Sequence, residues 1–171
     1  VGVLGHLAIP FAHAFGYEVA ALSSSPEKRD QALAFGADLF MDSDDAASLG
    51  QVDYGFDVLM CTASGGVPWE ALLMALKKRG TLVLLGFPDV ALNSTDLVAH
   101  EISLTGSFLG NRATMREMLG FADAHRIAPM IETMPMSRVN EAIQRVKQNK
   151  ARYRIVLLND AAGTEARPGA A

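Results

Sequence analysis

Apolar positions in the first hundred residues alternate between two spacings. From Leu4 to Phe15 they recur at helical intervals (Leu4, Leu7, Ala8, Phe11, Ala12, Phe15), and Gly16 follows where a helix-ending glycine belongs. Val19 to Leu22 then reads as a short buried strand. Pro26 opens a second helix, Glu27 to Phe35, closed by Gly36. Phe56 to Cys61 and Thr81 to Leu85 are apolar runs bounded by glycines, the pattern of strands covered on both faces. Between them Trp69 to Lys78 reads as a helix with Pro68 at its start. Strands alternating with helices at this interval predict an α/β fold, a parallel sheet wound in right-handed crossovers. Past Gly110 the pattern changes. Ala113 to His125 and Ser137 to Lys147 read as amphipathic helices, the second with Ser137 as its N-cap, and Ile131 to Met134 and Tyr153 to Leu157 read as strands.

Ligands of such sheets bind at the carboxyl ends of the strands, so the polar and glycine-rich strand ends carry the chemistry. Gly2 and Gly5 have the separation of the last two glycines in a G-x-G-x-x-G loop, whose backbone lies against a dinucleotide pyrophosphate before opening a helix. The first glycine and its strand are expected ahead of Val1. The expected architecture is therefore a Rossmann-type doubly wound parallel sheet lacking its first strand, in a fragment of a larger enzyme. NAD-binding folds place an Asp or Glu about 20 residues past the loop, where it accepts from the ribose 2′-hydroxyl and repels a 2′-phosphate. Here Ser23, Ser24 and Ser25 follow the strand, no acid occurs until Glu27, and Lys28 lies one turn into the next helix. Hydroxyls, backbone amides and an ammonium at that place favour NADP(H). Pro10 falls inside the first helix, where a missing N–H typically costs about 3 kcal/mol and predicts a kink or an irregular first turn.

Composition narrows the function classes. The 171 residues are half apolar and carry a net charge of −4, with no Lys/Arg stripe to neutralise nucleic-acid phosphates. No apolar run approaches the roughly 20 residues of a membrane span, and no signal peptide is visible, so a cytoplasmic protein is expected. The single cysteine, Cys61, reads as a small buried apolar residue. The four histidines lack metal-ligand spacing, so neither a zinc site nor a catalytic residue is expected in this chain. The eight methionines, several of them between Met115 and Met136, read as flexible core filler. The tail from Ala161 to Ala171, rich in Ala and Gly, is expected to be disordered.

Several of these segments together carry a family resemblance. Gly2-Val3-Leu4-Gly5-His6-Leu7-Ala8, Ser23-Ser24-Ser25 with Lys28-Arg29, Phe35-Gly36-Ala37-Asp38, Gly106-Ser107-Phe108-Leu109-Gly110 and Arg152-Tyr153-Arg154 resemble the cinnamyl-alcohol-dehydrogenase branch of the zinc-dependent medium-chain alcohol dehydrogenases. The resemblance runs in order from Val1 to about Leu158. It implies that residues 1–110 form an NADP-binding domain and that residues 111–160 return to a catalytic lobe carrying the zinc, with 161–171 as the tail. It also implies that Gly2, Val3, Leu4 and Gly5 meet the pyrophosphate, although the family usually has glycine where this chain has Val3. Thr62 is implied to contact cofactor, Gly86 to let the ribose approach the backbone, and Ser107, Phe108 and Leu109 to face the nicotinamide amide. The stretch from Val90 to Leu104 resembles the sheet edge through which members form homodimers. The whole protein would then reduce small aldehydes or oxidise alcohols, with NADP(H) and zinc. A zinc-free quinone reductase and a stand-alone nucleotide-binding module remain open as alternatives.

Overall fold

The protein is described by a computed structural model covering residues 1–45, 55–148 and 150–159. The expected disordered tail lies outside the described residues. The chain divides into two compact units, Val1–Ile127 and Ala128–Ala171.

The first unit begins with helix α1, Gly5–Ala14, which returns to strand β1, Ala20–Ser23. A short 3-10 turn, Pro26–Lys28, leads into α2, Arg29–Ala34, and then β2, Leu39–Asp42. Gly16 and Gly36 end their helices at φ +83° and +103°, in the left-handed region where a Cβ is costly, as their positions in the sequence predict. Pro10 lies within α1, which continues to Ala14.

Strand β3, Phe56–Cys61, is followed by α3, Trp69–Ala75, and β4, Leu76–Leu84. The helix expected to reach Lys78 stops at Ala75. Leu76 turns extended, is fully buried and pairs with Phe56. The ladder shifts register between Phe56 and Val58, so the polar run after Leu76 bulges out and regular pairing resumes at Val58 with Thr81. Helix α4, Ser94–His100, then leads to β5, Ser103–Gly106, and α5, Arg112–Ala124. Asn111 caps α5, its side-chain oxygen accepting from the amides of Ala113 and Thr114 at 2.8 and 3.0 Å. Phe121 ties this helix to α1 by stacking on Phe15, with ring centroids 4.3 Å apart.

All strand pairs are parallel. β1 pairs with β2, and β4 lies between β3 and β5. Helices cover both faces of the β1–β2 pair, since neighbouring residues of one strand enter different cores, whereas Val58, Met60 and Leu104 stay exposed on the β3–β5 sheet, so the two-sided covering expected of Phe56 to Cys61 is not met there. Ala21 and Phe40 pack with Ile9, Ala32 and Ala37 beneath α1 and α2. Ala20, Leu22 and Met41 face the core built by Leu59, Cys61, Leu72, Leu73, Leu76 and Leu82 around α3. This is the expected doubly wound arrangement. No ladder joins β1 to β3 among the described residues, although both strands contribute to one core. The gap stands where the first strand of a Rossmann-type sheet belongs.

In the second unit, β6, Ile131–Pro135, pairs in parallel with β7, Arg154–Leu158, and α6, Val139–Lys147, connects them. Ser137 does not cap α6. It lies inside a 3-10 turn, Met136–Arg138, and the helix starts after Arg138 with no side-chain cap. Glu132 ties the unit together elsewhere, pairing with Arg145 of α6 at 2.6 Å and accepting from the Arg152 amide at 2.6 Å.

Candidate functional site

The sequence-predicted residues of the first unit collect at the carboxyl ends of its strands. Residues 1–4 approach the gap between β1 and β3 and lead directly into α1, so the start of that helix points at the divide in the sheet. The Val1 nitrogen donates to the Leu22 carbonyl of β1 at 3.4 Å. On the other side a Cβ added to Gly5 would sit 3.5 Å from the Thr62 hydroxyl, just past β3. The loop therefore bridges the two halves at the switch point, where parallel sheets hold ligands.

No side chain caps the start of α1, because Leu4 occupies the N-cap position with a helical backbone. The His6 and Leu7 amides bond to the Gly2 and Leu4 carbonyls at 3.0 and 3.1 Å, so it is the positive end of the helix dipole, with no side chain over it, that suits an anion such as a pyrophosphate. Space is available for it. A Cβ on Gly2 would meet nothing within 4 Å, and Val3 and Leu4 are exposed. Val3, where the resemblance implies a glycine, thus holds its side chain in the open. His6 lies beneath the loop at 1% exposure, with Nδ1 3.3 Å from the Gly2 carbonyl oxygen and its ring against Phe35, in a packing role.

The turn after β1 forms the second part of the site. Ser23 is buried, and its hydroxyl oxygen accepts from the Ser25 amide at 3.3 Å, so it shapes the turn. Ser24 is exposed and Ser25 half-buried. Lys28 reaches back across the turn and donates to the Val1 carbonyl at 3.1 Å. A nearby carboxylate that the linear spacing does not reveal is Asp42, the partner of Ser23 in the β1–β2 ladder. Its Oδ1 accepts from the Asp44 amide at 3.0 Å, which commits that oxygen to its own turn.

Gly86 and Ser107 complete the row. The Gly86 amide donates to the Cys61 carbonyl at 3.1 Å, and a Cβ there would lie 2.2 Å from the Ala63 carbonyl oxygen. Close approach of two chain segments already requires glycine at this position. The Ser107 amide donates to the Leu84 carbonyl at 3.0 Å, extending β5 alongside β4. Phe108 and Leu109 are 77% and 79% exposed, and Phe108 touches Phe87 edge-on. Gly2 to Gly5, Ser23 to Ser25, Lys28, Thr62, Gly86 and Ser107 to Leu109 thus lie along one end of the first unit.

The described residues do not fit a zinc site. No group of three or more His, Cys, Asp or Glu side chains comes together among them, and Cys61 is buried and free. Nor is any described helix long and apolar enough to cross a membrane.

Known proteins share this arrangement. Residues 3–124 match the sequence pattern of the zinc-binding dehydrogenases. A probable cinnamyl alcohol dehydrogenase of Oryza sativa subsp. japonica is 39% identical over 170 residues, covering 96% of this chain and 46% of its own length. A probable formaldehyde dehydrogenase of Bacillus subtilis is 39% identical over 159 residues, covering 92% and 46% respectively. Among solved structures, a cinnamyl alcohol dehydrogenase from Sorghum bicolor superposes with a TM-score of 0.88 at 38% identity, over 98% of this chain and 48% of its own. An acetophenone reductase from Geotrichum candidum, in complex with NAD, gives 0.80 at 25% identity, over 94% and 47%. The chain spans about half the length of these relatives. With an α/β fold of parallel strands, an uncapped glycine loop at the switch point and sequence identity near 40% over almost all of it, the chain belongs to the zinc-binding dehydrogenase family.

Proposed function

We propose that this chain is the cofactor-binding part of an NADP(H)-dependent, zinc-dependent alcohol dehydrogenase that works chiefly as an aldehyde reductase. The observation that carries the reading is the meeting of the open glycine loop with the serine turn and Lys28 at one switch point. Gly2, Val3, Leu4 and Gly5 offer backbone donors to the pyrophosphate. Ser24, Ser25 and Lys28 face the ribose 2′-phosphate, with Ser23 holding their turn. Thr62 and Gly86 line the path across the sheet, and Ser107, Phe108 and Leu109 meet the nicotinamide end. When bound, the cofactor supplies the hydride. The residues of this chain bind and orient it, and the exposed Phe108 and Leu109 exclude water from its reactive face. Zinc and its ligands belong to a catalytic lobe outside residues 1–171, to which residues 111–160 return, while residues 1–110 form the cofactor domain. The whole protein is a cytoplasmic homodimer joined through the 90–104 edge.

Titration of the chain with NADPH and NADH, followed by reduced-nicotinamide fluorescence, tests the assignment. NADPH is expected to bind more tightly, with Ser23→Asp reversing the order. Equal affinities overturn the NADP(H) assignment. Purified chain with NADPH, zinc and cinnamaldehyde is expected to show no turnover, because none of its described residues can hold the Lewis acid. A zinc-dependent rate overturns the division of labour.

A further inference from the structure

Lys28 makes a contact that phosphate recognition does not require. Its Nζ donates to the carbonyl of Val1, 27 residues earlier in the chain, at 3.1 Å in a part-buried position. That carbonyl belongs to the peptide entering Gly2, a half-buried residue on which an added Cβ would meet nothing within 4 Å. Gly2 in turn accepts from the His6 amide at 3.0 Å in the first turn of α1. A chain of contacts therefore runs from the turn after β1, through one ammonium, into the backbone that would face the pyrophosphate.

We propose that Lys28 is a positioning residue for the glycine loop, holding the Val1–Gly2 peptide so that the pyrophosphate and 2′-phosphate subsites are set by one side chain. The ligand identities rest on the function proposed above, but the strut itself does not. An ammonium has three N–H donors, so the carbonyl takes one and leaves two for a phosphate. The loop has little side-chain packing to hold it, since a Cβ on Gly2 would meet nothing within 4 Å and Val3 and Leu4 are exposed. A residue that reads only the 2′-phosphate matters to NADPH alone. A strut matters to both cofactors.

Two measurements on the full 171-residue chain separate these roles. In the absence of ligand, hydrogen exchange of the His6 and Leu7 amides, which bond to the Gly2 and Leu4 carbonyls, is expected to quicken about fivefold or more in Lys28→Ala, consistent with losing a charge-assisted hydrogen bond. Lys28→Arg, which keeps a long cationic donor, is expected to retain the original exchange. With cofactor, Lys28→Ala is expected to weaken NADH binding about three- to tenfold and NADPH binding by more. Unchanged exchange of those amides in Lys28→Ala overturns the proposal whatever happens to the affinities, and so does a loss confined to NADPH. Faster exchange in a chain that binds neither cofactor upholds the strut and overturns the proposed function instead.

Discussion

Two glycines of the site, Gly86 and Gly2, should respond oppositely to alanine. A Cβ on Gly86 would fall 2.2 Å from the Ala63 carbonyl oxygen, 3.0 Å from its carbon and 3.2 Å from the Thr62 carbonyl carbon. Those are backbone atoms, so no rotamer change relieves the clash. Either β4 withdraws from β3, stretching the hydrogen bonds of the Leu85 and Gly86 amides to the Cys61 carbonyl at 2.9 and 3.1 Å, or the 62–63 segment moves. Overpacking of this kind costs about 1–3 kcal/mol. In a chain of this size each kcal/mol lowers the melting temperature by about 2–4 °C, so Gly86→Ala should melt roughly 2–12 °C lower. Gly2→Ala places its Cβ in open space and should melt unchanged. Its effect should appear only with ligand, as at least about a tenfold loss of NADPH affinity, because the proposed function puts the pyrophosphate on the vacant side of that residue. Thermal denaturation and cofactor titration of both variants, with Gly106→Ala as a control whose Cβ also meets nothing, make the comparison. A Gly86→Ala protein that melts with the parent refutes the packing argument. A Gly2→Ala protein that binds NADPH as tightly as the parent refutes the placement of the phosphate.

Other perturbations probe the core, the electrostatics and the second unit. Leu82, fully buried, and Leu73, at 2% exposure, should each cost about 2–5 kcal/mol when replaced by alanine, read by urea denaturation; a loss under 1 kcal/mol at both would place the core elsewhere. Asp42→Asn removes the carboxylate beside Ser23 and should tighten NADPH roughly twofold at low ionic strength while leaving NADH unchanged, an effect that salt should erase. Burial pushes the Tyr153 phenol above its ordinary value of 10.0, outweighing the opposing charge of Arg152. The folded state therefore keeps its proton longer than the unfolded chain, and the stabilisation is complete below pH 10 and lost above it. Tyr153→Phe should flatten that alkaline loss of stability, and an unaltered alkaline limb would contradict the burial assigned to the phenol.

The parts of the molecule that sequence revealed are those governed by local chemistry. Gly16 and Gly36 stand where left-handed backbone ends a helix, and the apolar runs at Phe56 and Thr81 do form the central parallel strands. The helix read through Lys78 failed because a burial demand on Leu76 overrode the helical propensity of the polar residues after it, leaving a bulge. Ser137 has the right type for a cap, yet the chain enters α6 through a 3-10 turn, while Asn111 caps α5 without having been singled out. Within the site, the glycine loop and serine turn were legible as motifs. The contact of Lys28 with Val1 and the nearness of Asp42 to Ser23 arise across long sequence separations, so only folding reveals them. Gly86 stands at a strand end in the sequence, but its close approach to Ala63 depends on a neighbouring strand end.

The divide between β1 and β3 bears on how the first unit comes apart. Side-chain packing links its two halves where no ladder crosses among the described residues. Cooperativity across such a seam depends on whatever else spans it, and regions with fewer shared backbone hydrogen bonds open at lower free energy. The glycine loop does span it, bonded to Leu22 on one side and set against Thr62 on the other. In residues 1–171 taken alone, a dinucleotide seated there would act as a staple between two semi-independent folding units, where the first strand of a Rossmann-type sheet would otherwise join them. Its binding energy would then merge two opening events into one, making the ligand part of what renders the sheet a single cooperative body.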